Sequence, residues 1–399
     1  MSPNTIVHQN EFLRNTIFNL VQNKKENREE ISSRILKTVF EALLEVERDE
    51  FMKNKESQNK KNGYYSRLAK TLAGIFEIKV PRDRLGLFKP LILEIAKKEK
   101  QNLDQLAFEL YSKGMSDRDI GSVLENVYGF NTSPQYVSNI TKAYLEVRKR
   151  WQERILDKKY IAVYIDATHM NIRRSTVENE AIYIVLGIKT DLKREILGIY
   201  SIPNESAYGW KEVLLDLKQR GMQRTMLFIS DNLKGIDNAI NEIYPKSKLQ
   251  KCIVHLKRNI WHKVRIKDRR EIMDNLKIVF DLDNALDNKE KALERMNQFI
   301  SKWKKDYPFL TRMNISENHF TYLEFPFEIR RIIYTTNMIE RLNKEVKKVV
   351  KNKNSFPNPE SALSLIWMKT MDVEDRVYKY PITRLYTIRE RLLDMLDNY

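Results

Sequence analysis

The sequence predicts a mixed α/β fold: a strand-bearing core interrupted by an all-helical insertion and preceded by a helical region. Five short apolar runs fall between residues 159 and 254, the strand signal then disappears over 256–325, and three short helix patterns occupy 102–150. With 399 residues, 42% of them hydrophobic, the chain can build two or three domain cores. Lys and Arg number 71 against 54 Asp and Glu. The resulting net charge of +17 points to a nucleic-acid partner, with plain Lys-rich composition as the competing reading. Only 11 glycines occur, and neither G-x-x-x-x-G-K-[ST] nor G-x-G-x-x-G is present, which weakens ordinary nucleotide-binding readings. The single cysteine, Cys252, excludes an intrachain disulfide framework and a Cys-only zinc site. There is no leader-like N-terminus and no apolar run near ~18 residues, so a soluble, cytoplasmic protein is expected.

Residues 1–95 read as a helical and irregular region. Leu36, Val39, Leu43 and Val46 recur at helical spacing within 31–51, and a strand-like, turn-rich segment follows over 63–90. Residues 96–150 read as a helix-turn-helix module. Its first helix is closed by Gly114, its second opens on the N-cap candidate Ser116, and its third opens at Ser133-Pro134. Gln135, Ser138, Asn139 and Lys142 stud that third helix, where polar side chains would meet base edges and the basic tail would meet phosphate. A small helical bundle would carry the same pattern.

The core begins over 157–255. Runs at 159–169, 181–189 and 195–202 read as strands, the last two joined by the turn TDLKR. A helix stopped by Gly221, a strand at 225–230, a helix from near Gly235 and a strand at 249–254 follow. Three meandering strands, then helix, strand, helix, strand, make a mixed sheet of the ribonuclease H-like kind. Residues 256–325 read as the all-helical insertion. Residues 326–399 complete the core, with a strong helix pattern over 335–351.

In this reading Asp166 and Asp231 each end an apolar strand, and Glu340 lies on the helix after the insertion. Carboxylates at a sheet rim can hold two divalent cations for phosphodiester chemistry, one serving the attacking oxygen and the other the leaving oxygen. Hard oxygen ligands point to Mg²⁺, two ions per site, with Mn²⁺ able to substitute. The plainer readings are a turn or cap role for Asp231, a strand end at Asp166, and a helix-start pair at Asn337 and Glu340. Cys252-x-x-His255 is at most half a zinc site. For Cys252, His255 and His169, support of the carboxylates competes with an ordinary structural role. Between Lys246 and Arg270 ten basic residues face one Asp, with Lys251, Lys257, Arg258, Lys263 and Arg265 as candidate phosphate contacts. A second basic run supplies Arg341, Lys344, Lys347 and Lys348 directly after Glu340.

Taken in order, VPRDRLGLFKP, YSKGMSDRDIGSVLENVYGFNTSPQYVSNIT, YIDATH, FISDNLKG, QKCIVHLKRN and YTTNMIERLN resemble the bacterial insertion-sequence transposases of the Mutator type, from about Gly63 to about Lys369. The resemblance implies a metal-binding Asp-Asp-Glu triad at Asp166, Asp231 and Glu340, and the family's Cys-x-x-His signature at Cys252 and His255. It implies a DNA transposase that cuts at terminal inverted repeats and joins the freed 3′-hydroxyl to another strand. Double-stranded DNA, as element ends and as target, is the implied partner, and two ends imply at least a dimer. Asn232 stands where relatives often have Gly, and Asn tolerates the left-handed turn such a Gly would adopt. A ribonuclease H-like nuclease without strand transfer and a non-catalytic DNA-binding regulator are the rival readings.

Overall fold

Hydrophobic periodicity builds two units, divided between Ala143 and Tyr144. The computed structural model describes residues 28–53, 59–71, 74–128, 134–173, 175–201, 207–313, 315–351, 356 and 358–399.

In the first unit, helix α1 (Arg28–Lys53) packs on an antiparallel hairpin of β1 (Lys61–Thr71) and β2 (Gly74–Asp83). Phe76, Ile78 and Val80 alternate along β2 and bury one face against Leu44 of α1. The segment read as strand-like and turn-rich over 63–90 is thus a regular antiparallel hairpin within residues 61–83. Helix α2 (Leu91–Ser112) starts directly after Pro90 and crosses the expected boundary at 95/96. Helices α3 (Asp117–Tyr128) and α4 (Pro134–Gln152) follow. Ser116 caps α3 as expected: its Oγ accepts from Asp119 N at 3.2 Å, while Ser116 N donates to the Asp119 carboxylate at 3.3 Å. The cap expected at Ser133 lies outside the described residues.

Asp83 ends the hairpin and accepts from Asn59 Nδ2 at 2.8 Å, Leu87 N at 2.9 Å and Phe88 N at 3.0 Å. Burial alone would raise its pKa, but these donors outweigh it and hold the carboxyl at about 2. A depressed folded pKa gives stability that is present above the unfolded value near ~3.9 and lost as pH falls toward 2. Allowing for solvent screening at the rim, this contributes about 1 kcal/mol. The unfolding free energies of wild type and Asp83→Asn should differ by that amount at pH 6 and converge as pH approaches 2.5. A constant difference would remove the charge as its source.

In the second unit, β3 (Lys159–Arg173), β4 (Val177–Lys189) and β5 (Arg194–Ser201) meander antiparallel. Helix α5 (Ala207–Gln219), β6 (Arg224–Ser230), helix α6 (Ile236–Ile243) and β7 (Lys248–Lys251) complete the sheet. The strand order is β5-β4-β3-β6-β7, with β6 parallel to both β3 and β7. The β4–β5 turn places Leu192 at φ 66°, and the cost of that left-handed residue is offset by its complete burial. Gly221 after α5 has φ 114°, and a Cβ there would lie 2.9 Å from Leu156 O.

Two differences from the expected strands shape the site. Strand β3 runs on to Arg173, past the expected end at His169, because β4 keeps pairing with it as far as Val177. Strand β7 is shorter than 249–254, because Ile253 already opens a helix. Val163, Ile165, Tyr183 and Val185 face α5 and α6, packing on Trp210, Leu214, Leu217, Ile236 and Ile240. Successive side chains alternate, so Tyr164 and Asp166 point to the other face, where Tyr164 Oη donates to Ile332 O at 3.0 Å.

Helices α7 (Ile253–Lys263), α8 (Arg269–Val279) and α9 (Lys289–Trp303) follow, then short 3₁₀ turns to Glu324. No strand occurs among the described residues of 256–325. Gln250 of β7 ties this segment to the sheet. Its Nε2 donates to His319 O at 3.0 Å and its Oε1 accepts from Tyr322 N at 2.7 Å. Helices α10 (Phe327–Ile333), α11 (Asn337–Val350), α12 (Pro359–Val373) and α13 (Arg389–Asp397) complete the chain. Among the described residues, no helix is long and apolar enough to cross a membrane.

Candidate active site

Sheet register assembles the site. The last parallel rung pairs Ile165 with Ser230, and Ser230 pairs with Lys251. Asp166, Asp231 and Cys252 are thus the next residues on three adjacent chains, and Cys252 N donates to Ser230 O at 2.9 Å. Asp166 does not end its strand, contrary to the expectation, since β3 continues past it to Arg173. It sits where the parallel neighbour β6 runs out, so its carboxyl faces the rim while its backbone stays paired to β4.

Helix α7 opens at Cys252 and carries His255 on its first turn. His255 Nδ1 meets Asp231 Oδ1 in an ion pair. Helix α11 opens at Thr336, and its first turn carries Glu340. The Thr336 hydroxyl lies 3.2 Å from Cys252 Sγ, 3.4 Å from His255 Nδ1, 3.4 Å from Asp231 Oδ1 and 3.3 Å from Glu340 Oε1. One fully buried hydroxyl thus lies within hydrogen-bond reach of both carboxylates and of the Cys-x-x-His pair, with a single proton to donate among them. One turn further along α11, Asn343 Nδ2 donates to Asp166 Oδ2 at 2.7 Å, while Asn343 Oδ1 is buried without a hydrogen-bond partner.

The electrostatics follow from this crowding. Burial, then the Asp231 charge, pushes the Asp166 carboxyl up to about 7. Burial would lower His255, but its hydrogen bonds to Asp231 and Cys252 prevail and raise it to about 10. Burial would raise the Cys252 thiol, yet the bonds from His255 and Thr336 hold it below its ordinary value. Glu340 is gripped by the Arg258 guanidinium at 3.3 and 3.1 Å. The protein's own cations thus cover Asp231 and Glu340.

Asp231, Cys252 and His255 present ligand atoms within 4.8 Å of one another. The Thr336 hydroxyl fills the space among those atoms, which favours a hydrogen-bonded clasp over a zinc site at this position. A cavity of about 380 Å³ opens beside the clasp, lined by Asp231, His255, Asn259 and Lys263 among others.

Several expected site residues fall elsewhere. His169 is exposed and lies an odd number of residues from Asp166, hence on the opposite face of β3. Lys251 is only 2% exposed and its ammonium sits 2.9 Å from Asp237, so it is no phosphate contact. Arg265 is spent on Asp268 at 3.1 Å and Asp306 at 3.3 Å. Lys257 is half-buried over the Phe280 ring, whereas Lys263 is exposed beside Phe309. Arg341, Lys344, Lys347 and Lys348 are exposed on α11. Gln135, Asn139 and Lys142 are exposed along one stripe of α4 and Ser138 is partly so, with Gln135 Nε2 donating to Asn139 Oδ1 at 2.9 Å. Among the described non-glycine residues only Leu192 has a positive φ, so the turn at Asn232 needs no left-handed conformation. Sequence reading missed Thr336 and Asn343, although both stand one helical turn from Glu340 in a strong helix pattern.

The chain matches the family model "Transposase, Mutator family" over residues 7–379. It is 34% identical to the transposase for insertion sequence element IS905 of Lactococcus lactis, over 85% of this chain and 88% of that protein. It is 37% identical to the transposase for insertion sequence element IS1201 of Lactobacillus helveticus, over 79% of this chain and 85% of that protein. The Drosophila P element transposase strand transfer complex aligns with 73% of this chain and 86% of that chain at 9% identity and a TM-score of 0.28, a likeness too weak to add to the strand order. With the motifs in order along the chain and relatives matched over most of their length, this protein belongs to the Mutator family of transposases.

Proposed function

We propose that this protein is the DNA transposase of an insertion sequence, with Asp166, Asp231 and Glu340 as its catalytic, cation-binding carboxylates. The observation that carries the reading is the register that puts Asp166 and Asp231 side by side, with Glu340 reaching the same Thr336 hydroxyl as Asp231. In this reading residues 157–255 and 326–399 are a ribonuclease H-like core, 256–325 its insertion, and 96–150 a helix-turn-helix that reads the terminal repeats. The donor types suit Mg²⁺ or Mn²⁺: all three candidates are hard carboxylates, and two of them sit against protein cations that an incoming metal ion would displace. When bound, two such ions supply charge neutralisation at the attacking and leaving oxygens.

The chain's own residues do the positioning. Asn343 fixes the rotamer of Asp166, and Thr336 sets the spacing between Asp231 and Glu340. Arg258, when released from Glu340, and Lys263 beside the cavity face incoming phosphate. Two element ends must meet, so the working complex is at least a dimer.

Incubation with Mg²⁺ and DNA carrying the element's own ends tests this. Nicked ends together with joined products are expected. Cleavage without joining would favour a nuclease, and binding without either product a regulator. Thr336→Val keeps the side-chain shape and removes the hydroxyl. It should slow cleavage on the order of 10- to 100-fold at unchanged DNA affinity, with Thr336→Ser restoring most of the rate. Equal rates for Val and Ser would remove Thr336 as a positioning residue.

A further inference from the structure

We propose that a basic basin beside α11 is a second DNA-backbone site, seating phosphodiesters outside the carboxylate cluster. It rests on the transposase reading above and extends it to residues outside the carboxylate cluster. The basin encloses about 680 Å³, and its lining includes Arg194, Arg341, Lys344, Tyr378 and Arg384. Its single acidic lining residue, Glu345, is already paired with Lys348. Among the described residues, no carboxylate pairs with Arg194, Arg341, Lys344 or Arg384.

Arg194 shows that the charge is built in. It leaves the start of β5, donates through Nη2 to Val377 O at 3.0 Å and Tyr380 O at 3.2 Å, and stacks 4.7 Å over the Tyr378 ring. Its Nε is buried with no hydrogen-bond partner. A half-buried guanidinium held by carbonyls, without an anion, is costly to keep, and its like-charged neighbour Arg341 adds to the cost. An anion from outside the chain would relieve both. Arg341 and Lys344 share this lining with Arg194 and Arg384, and four cations without carboxylate partners among the described residues suit a run of phosphates better than one small anion. Glu340 directly precedes Arg341 on the same helix, about 100° around it, so a backbone seated in the basin runs close to the proposed carboxylates.

The phosphodiesters come either from DNA flanking the element or from target DNA, and the triple variant R341Q/K344Q/R384Q separates these sources. All three side chains are exposed, and unchanged thermal unfolding verifies the fold. Affinity is read by anisotropy on labelled duplex, with and without flank, across a salt series. Cleavage of flanked ends and strand transfer from pre-cleaved ends are followed beside it. About tenfold or more loss of affinity is expected at moderate salt, with the salt slope falling by roughly 2 to 3. Loss on flanked ends assigns the basin to DNA flanking the element, and loss confined to strand transfer assigns it to target DNA. A folded variant with wild-type slope and both activities intact overturns the basin while leaving the transposase reading standing. A wild type that neither binds nor cuts DNA overturns both.

Discussion

Asp231→Asn lowers metal-dependent cleavage and joining of element ends on the order of 10³-fold or more and leaves DNA affinity within about twofold. The substitution keeps the size of the side chain, and its remaining carbonyl oxygen can still accept from His255 Nδ1 and the Thr336 hydroxyl. What disappears is the charge next to Asp166 that, in the proposed function, helps make the pair a cation site. In the proposed function phosphate contacts elsewhere set affinity, so binding should persist. Cys252→Ser is the matched contrast: it retains a small hydrogen-bonding group beside Thr336 and supplies no charge in the neutral state, so its loss should be far smaller. End cleavage and strand transfer measured in Mg²⁺ and in Mn²⁺ check both variants. Retention of more than a tenth of the wild-type rate by Asp231→Asn would exclude it as a catalytic carboxylate.

What could be read in the residues follows the physics of each element. The five core strands are legible because buried strands are written as apolar runs, and YIAVYID and TMLFIS announce themselves. Their order along the chain already suggests the sheet. Register is less visible. That Asp166 lies mid-strand, with β4 pairing on to Arg173, depends on partners distant in sequence and not on any local pattern. Charge is visible only as a sum. Lys251 and Lys263 look alike in the sequence, but one is buried on Asp237 and the other lies on the surface, a difference that tertiary packing makes. The Cys-x-x-His pair is conspicuous by spacing, yet its partner Thr336 stands more than eighty residues away and is an unremarked helix cap until folding brings it in.

The largest stability effect is expected from Arg330→Met. Arg330 is 7% exposed on α10, and its guanidinium donates to Phe325 O and Leu323 O at 3.0 Å, with longer contacts to Asp287 O at 3.4 Å and Asn284 O at 3.5 Å. These carbonyls belong to two separate loops, one between α8 and α9 and the other just ahead of α10. A single side chain thus closes the helical segment onto the helix that leads to Thr336. Asp287, whose carboxylate is fully buried, is held by Arg295 through Nη1 at 3.0 Å, so no spare donor stands by. Removing the guanidinium leaves several buried acceptors unmet and should cost about 3–5 kcal/mol. For a unit of this size that is roughly a 10 °C drop in Tm. Arg330→Lys should rescue little, because three donors on one nitrogen cannot fork to carbonyls on both loops. Thermal unfolding followed beside cleavage at low temperature separates the contributions. A lowered Tm with cleavage retained in the cold makes Arg330 a tether of the fold. Cleavage lost while the chain is still folded would mean that α10 also transmits position to Thr336 and Glu340.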